Sequence, residues 1–155
     1  MGTEFQRNAF KHAIAAGQLQ IGLWSSLCSN IAAEIISDSG FDWILLDTEH
    51  SPNEIPDLVS QLQAIQAGSA TPIIRPAWND AVLAKRALDI GAQSLLFPYV
   101  QNPEEAKRAV ASTRYPPQGI RGVSVAASTS VSPTPGPSSR LPSTKASSTS
   151  TRGLQ

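Results

Sequence analysis

The sequence predicts an α/β fold with parallel strands, and three observations predict it. Strand-like and helix-like segments alternate through four strand–helix pairs at a spacing of about 20–30 residues, as short crossover units require. The segment Phe41-Asp42-Trp43-Ile44-Leu45-Leu46-Asp47 is continuously apolar at its centre rather than alternating, which fits a strand covered on both faces. Helix starts fall between the strands. The sharpest is Asn102-Pro103-Glu104-Glu105, with a cap, a proline at the first helical position and an acid three residues after the cap.

In chain order, residues 8–16 predict a short helix stopped by Gly17, and residues 20–27 a first strand. A helix follows from about Asn30 to Ser39, with Ala32, Ile35 and Ile36 inward and Gly40 at its end. Residues 41–47 form the second strand. Asn53 is the expected cap of the next helix, Pro56 is tolerated in its first turn, and Ile55, Leu58, Val59, Leu62 and Ile65 recur with a helical period before Gly68. Residues 71–75 give a third strand. Asn79 or Asp80 caps a helix with Leu83, Ala87 and Ile90 inward, ending at Gly91. Residues 94–97 give a fourth strand, the last helix runs from 103 to about Arg114, and residues 115–122 form a loop. This order fits either an open doubly wound sheet or part of a (β/α)8 barrel, which takes ~250 residues when whole. No Gly-x-Gly-x-x-Gly turn follows the first strand, so a dinucleotide site lacks its main support.

Composition narrows the function classes. The 155 residues carry 12 basic and 12 acidic side chains, a formal net charge of zero, which argues against a nucleic-acid binder, since that normally needs a basic face. The single cysteine, Cys28, excludes an internal disulfide framework and fits a reducing compartment. No apolar run is long enough to span a membrane, and Met1-Gly2-Thr3-Glu4-Phe5 does not open a secretory signal. A soluble, cytoplasmic protein is expected. The average conceals a break near residue 123. Residues 124–155 hold 10 Ser, 5 Thr and 4 Pro, no acid and no aromatic residue. Residues 1–123 are therefore expected to fold, and 124–155 to be a disordered low-complexity tail.

Ligands of such folds sit beyond the C-terminal ends of the strands. Asp47 and His50 follow the second strand and Arg75 ends the third, about 4.8 Å away in a parallel sheet. A histidine polarised by a carboxylate is a proton acceptor near neutral pH, and a guanidinium holds a carboxylate or an enolate oxygen. Plainer readings stand beside these. Asp47 could cap the following turn, His50 could be a surface residue, and Arg75 could pair with a neighbouring carboxylate. Glu49 reads as a solvated loop acid, His12 as exposed, and Cys28 as a buried, unreactive thiol. Trp24, Trp43 and Trp78 read as packing residues, and Gly119-Ile120-Arg121-Gly122 equally well as a loop presenting amides to an anion or as a Pro/Gly turn.

The stretch from Gly40 through Asp47-Thr48-Glu49-His50-Ser51-Pro52-Asn53 resembles the hallmark segment of the HpcH/HpaI aldolase family. The similarity continues through Ile74-Arg75-Pro76-Ala77-Trp78-Asn79-Asp80, residues 85–93, Pro98-Tyr99-Val100-Gln101-Asn102 and residues 114–123. It is nearest to the 4-hydroxy-2-oxoheptanedioate and 2-keto-3-deoxy-sugar-acid aldolase branch and covers roughly 8–123. The resemblance implies a partial (β/α)8 barrel, about its first four units, followed by the tail. It implies a lyase that cleaves a 4-hydroxy-2-oxo acid to pyruvate and an aldehyde, a step of aromatic compound catabolism, usually in hexamers. His50 matches the catalytic base, Asp47 its carboxylate partner, and Arg75 the residue that binds pyruvate and steadies its enolate. The implied cofactor is a divalent cation of the Mg, Mn or Co type, held by a Glu and an Asp beyond the Arg121-Gly122 loop. Residues 124–155 contain no Glu, Asp or His, so the chain is expected to lack that seat. It would then be truncated and impaired, and the abrupt break reads as a shifted reading frame. The alternatives are an inactive fragment, a non-enzymatic interaction protein, and an acyl-CoA lyase of the same superfamily.

Overall fold

The structure, a computed structural model, describes residues 8–123; the expected tail, 124–155, lies outside the described residues. Eight elements follow one another: α1 (Ala9–Ala15), β1 (Gly22–Ser25), α2 (Asn30–Ser37), β2 (Trp43–Asp47), α3 (Ile55–Ile65), β3 (Thr71–Arg75), α4 (Ala81–Asp89) and α5 (Pro103–Ser112). The three strands are parallel in the order β1-β2-β3. Spatial order follows chain order without reversal, so the described sheet has no switch point of the doubly wound kind. No described helix is long and apolar enough to cross a membrane.

The expected fourth strand is reduced to a single parallel bridge between Ile74 and Leu95, made by Ile74 N–H on Ser94 O (3.1 Å) and Leu96 N–H on Ile74 O (2.9 Å). Residues 94–97 carry strand-forming side chains, but a ladder needs a partner along its whole length, and only Ile74 supplies one. Asn8 caps α1 and ties it to this segment by donating to Gln93 O (3.0 Å) and Ser94 Oγ (2.9 Å).

Helix faces correct two further expectations. On α2 the buried face is Ala33 and Ser37, while Ile35 is exposed. Small residues win that face because the chain comes very close there: a Cβ on Gly68 would lie 2.3 Å from Ser37 Oγ. On α3 the cap is Glu54, in a reciprocal capping box with Asp57, and not Asn53. Asn53 is buried and donates from Nδ2 to Asp47 O (2.7 Å), while Gln61, fully buried on α3, donates to Asn53 Oδ1 (2.7 Å).

The two faces of the sheet differ. Ile44, Leu46 and Ile74 point toward the helices and join Ala33, Leu58, Leu62, Ile65 and Ala87 in the core. Each such large apolar side chain contributes about 1.5–3 kcal/mol when buried. The opposite parity of the strands puts Trp24, Leu45, Ile73, Asp47 and Arg75 on the other face. Its apolar members, with Trp43, Leu95 and Leu96, line an open recess of about 410 Å³.

Asn53→Ala would strip the Asp47 carbonyl and the Gln61 amide of a buried partner. A loss of about 1–3 kcal/mol is expected, read as a lower urea midpoint at constant slope. An unshifted midpoint would show that this network does not hold the β2–α3 turn.

Candidate functional site

Asp47 and Arg75 are the last residues of β2 and β3 and are direct register partners. Their side chains therefore leave the sheet side by side on the face away from the helices. Arg75 donates Nε to Asp47 Oδ1 (2.8 Å) and Nη2 to Asp47 Oδ2 (2.7 Å), a two-pronged fit of fork to carboxylate. Asp47 is 1% exposed. It also accepts from the Trp24 indole (3.3 Å) and the Glu49 backbone N–H (2.9 Å). Burial alone would raise the Asp47 carboxyl, but the Arg75, Glu49 and Trp24 hydrogen bonds outweigh it and hold it at about 2. Conversely, the Asp47 hydrogen bond raises the Arg75 guanidinium against its own burial.

Three further contacts fix the arginine. Its Cζ lies 4.5 Å from the Trp24 ring centroid, so the guanidinium stacks on the indole. Thr48 clamps its backbone, with N–H (3.0 Å) and Oγ1 (2.7 Å) both donating to Arg75 O. The Glu49 Oε2 oxygen lies 2.7 Å from Nη1.

The expected Asp47–His50 pairing is not formed. Asp47 is committed to Arg75 because strand register places them side by side. His50 lies three residues on, in a loop held by the Ser51 hydroxyl and the Asn53 amide on the Asp47 carbonyl. The His50 side chain is 77% exposed, and its Nε2 faces Glu49 Oε1 at 3.7 Å. Glu49 is accordingly no solvated loop acid; it lies between Arg75 and His50. Trp24, read from sequence as packing, is part of the site. Its signal was its parity: β1 register sets Trp24 opposite Leu45, on the face that carries Asp47. Trp78 stacks on Tyr99 at 5.0 Å and both are exposed. The Cys28 thiol is raised by burial and then by Asp57, so it is no activated nucleophile.

The arrangement can hold an anion at a fixed guanidinium beside an imidazole open to solvent. Its charge pair also makes a pH prediction. The Asp47 carboxyl sits near 2 when folded against an ordinary 3.8, so its stabilisation is complete above about pH 4 and lost as pH falls toward 2. The amount is on the order of 2 kcal/mol. Asp47→Asn should lower stability at neutral pH and flatten the decline across that window in urea unfolding at stepped pH. An unchanged slope would remove Asp47 as its source.

The family model for HpcH/HpaI aldolase/citrate lyase matches residues 20–149, a range that runs past the compositional break. A 4-hydroxy-2-oxo-heptane-1,7-dioate aldolase of Klebsiella pneumoniae is 58% identical over 116 residues, covering 75% of this chain and 44% of the relative. A pyruvate aldolase of Rhizobium etli is 57% identical over 121 residues, covering 78% and 48%. Among solved structures, an HpcH/HpaI aldolase/citrate lyase family protein of Burkholderia cenocepacia superposes with a TM-score of 0.73 at 42% identity, covering 76% of this chain and 49% of that one. The chain thus spans about half the length of these relatives. A run of site residues set at strand ends, embedded in a sequence matched over 130 positions by one family, leads to a single assignment: the chain belongs to the HpcH/HpaI aldolase/citrate lyase family.

Proposed function

We propose that this chain carries the 2-oxo-acid half of an aldolase site, with the described residues 8–123 belonging to the first four units of a (β/α)8 barrel. The observation that carries the reading is the Arg75 guanidinium, fixed by Asp47 and Trp24 at the C-terminal end of β3. The unreversed strand order and the aldolase names of the relatives support it.

In this reading Arg75 binds a 2-oxo acid such as pyruvate through its carboxylate or enolate oxygen. His50, open to solvent, takes the proton of the C4 hydroxyl of a 4-hydroxy-2-oxo acid. The C3–C4 bond then breaks, the aldehyde leaves with a new C=O, and the bonding pair moves onto C3 and the 2-oxo oxygen as an enolate. The His50 imidazolium then returns its proton to C3, which yields pyruvate and restores the neutral imidazole. Asp47 acts here through Arg75 rather than through His50.

A divalent cation would serve such chemistry as a Lewis acid on the 2-oxo acid. The described residues do not fit one: no group of three or more His, Cys, Asp or Glu side chains converges, and Asp47 and Glu49 both face Arg75.

Exchange of the pyruvate methyl protons with D2O, followed by proton NMR, tests the reading. Arg75→Ala should weaken pyruvate binding, and His50→Ala should slow exchange by about 10²-fold or more while leaving binding in place. Pyruvate binding that is indifferent to Arg75 would sink the keto-acid reading.

A further inference from the structure

The two carboxylates on Arg75 are not equivalent. Asp47 is held by four donors: Arg75 Nε and Nη2, the Trp24 indole and the Glu49 amide, all in hydrogen-bonding geometry. Glu49 comes as close, at 2.7 Å from Nη1, yet its buried Oε2 accepts no hydrogen bond among the described residues. The contact is a charge pair lying off the N–H directions. Asp47 takes the side edge of the guanidinium, formed by Nε and Nη2. The end edge, formed by Nη1 and Nη2, is the one that a second planar anion would take, and Glu49 Oε2 lies 2.7 Å from its Nη1.

We propose that Glu49 is a built-in stand-in for the ligand's anionic group: it neutralises the end edge of Arg75 in the empty site and is displaced when a carboxylate or enolate binds there. The physical case is one of unequal hold. Displacing Asp47 would break four hydrogen bonds and strand a carboxylate that is almost wholly buried. Displacing Glu49 breaks a charge pair and no aligned hydrogen bond. Its other oxygen already faces His50 Nε2 at 3.7 Å, and that imidazole is open to solvent. A rotation toward His50 gives the carboxylate both a partner and water. Glu49 is thus a positioning residue that sets how readily Arg75 accepts an anion. Identifying that anion as a 2-oxo acid rests on the reading above; the displacement itself does not.

Two readouts on the full chain separate the two claims. The first is the modification rate of Arg75 by phenylglyoxal, followed by peptide mass spectrometry. Glu49→Gln, nearly isosteric, should speed it by about two- to fivefold, the factor expected when a partly exposed ion pair is lost. Glu49→Ala should do the same, with the urea midpoint showing that either variant is folded. The second is pyruvate affinity by NMR titration, which should tighten in Glu49→Gln by a similar factor. An Arg75 rate unchanged or slowed in both variants overturns the proposal, as does weaker pyruvate binding, which would make Glu49 part of the binding geometry. If Arg75 becomes more reactive while neither protein binds pyruvate, the stand-in role holds and the keto-acid reading fails.

Discussion

The end of this sheet is organised by the charge pair between Asp47 and Arg75. A carboxylate with 1% of its surface exposed is costly to desolvate, and it stays ionised only because four donors converge on it. Each of those donors is placed by something else. The register of β2 on β3 supplies the arginine, the register of β1 on β2 supplies the indole, and the turn after β2 supplies the Glu49 amide. Pairs of this kind add little net stability, because desolvation offsets attraction. Removing one partner is expensive, however, and that fixes a geometry. Here it fixes a guanidinium at the end of β3, stacked on the Trp24 ring.

The turn after β2 extends the same logic. Asp47 uses its side chain on Arg75 and its carbonyl on Ser51 and Asn53, so one residue anchors both the charge pair and the loop. Gln61 then ties that loop to α3 through Asn53. The buried polar chain from α3 through Asn53 to Asp47 links helix packing to the site. His50 hangs from this rigid turn without being gripped by it, which suits a group that must reach a ligand rather than hold the fold.

The sheet has one face covered by helices and one face open, and the site residues belong to the open face. Trp24, Trp43, Leu45 and Ile73 there are apolar and line a recess. Relatives of which this chain spans about half carry further sequence that could meet such a face. The reduction of the fourth strand to one bridge belongs to the same picture, since a strand is defined by a run of paired residues and residues 94–97 find only Ile74.

Much of this was legible in the sequence. The continuous apolar run of β2, the helix starts at Asp80 and Asn102, and the positions of Asp47 and Arg75 at strand ends all follow from local pattern, because caps, periodicity and strand length are properties of neighbouring residues. The family, too, was carried by contiguous segments around His50 and Arg75. What the sequence alone left open were the partnerships. Asp47 and His50 are three residues apart and looked like a pair, yet Asp47 bonds a residue 28 positions away and His50 faces Glu49. Asn53 looked like a cap and is a buried strut, and Trp24 looked like packing and is the platform for a guanidinium. Strand register decides these matters, because it sets which side chains leave the sheet side by side, and register exists only once the strands have met.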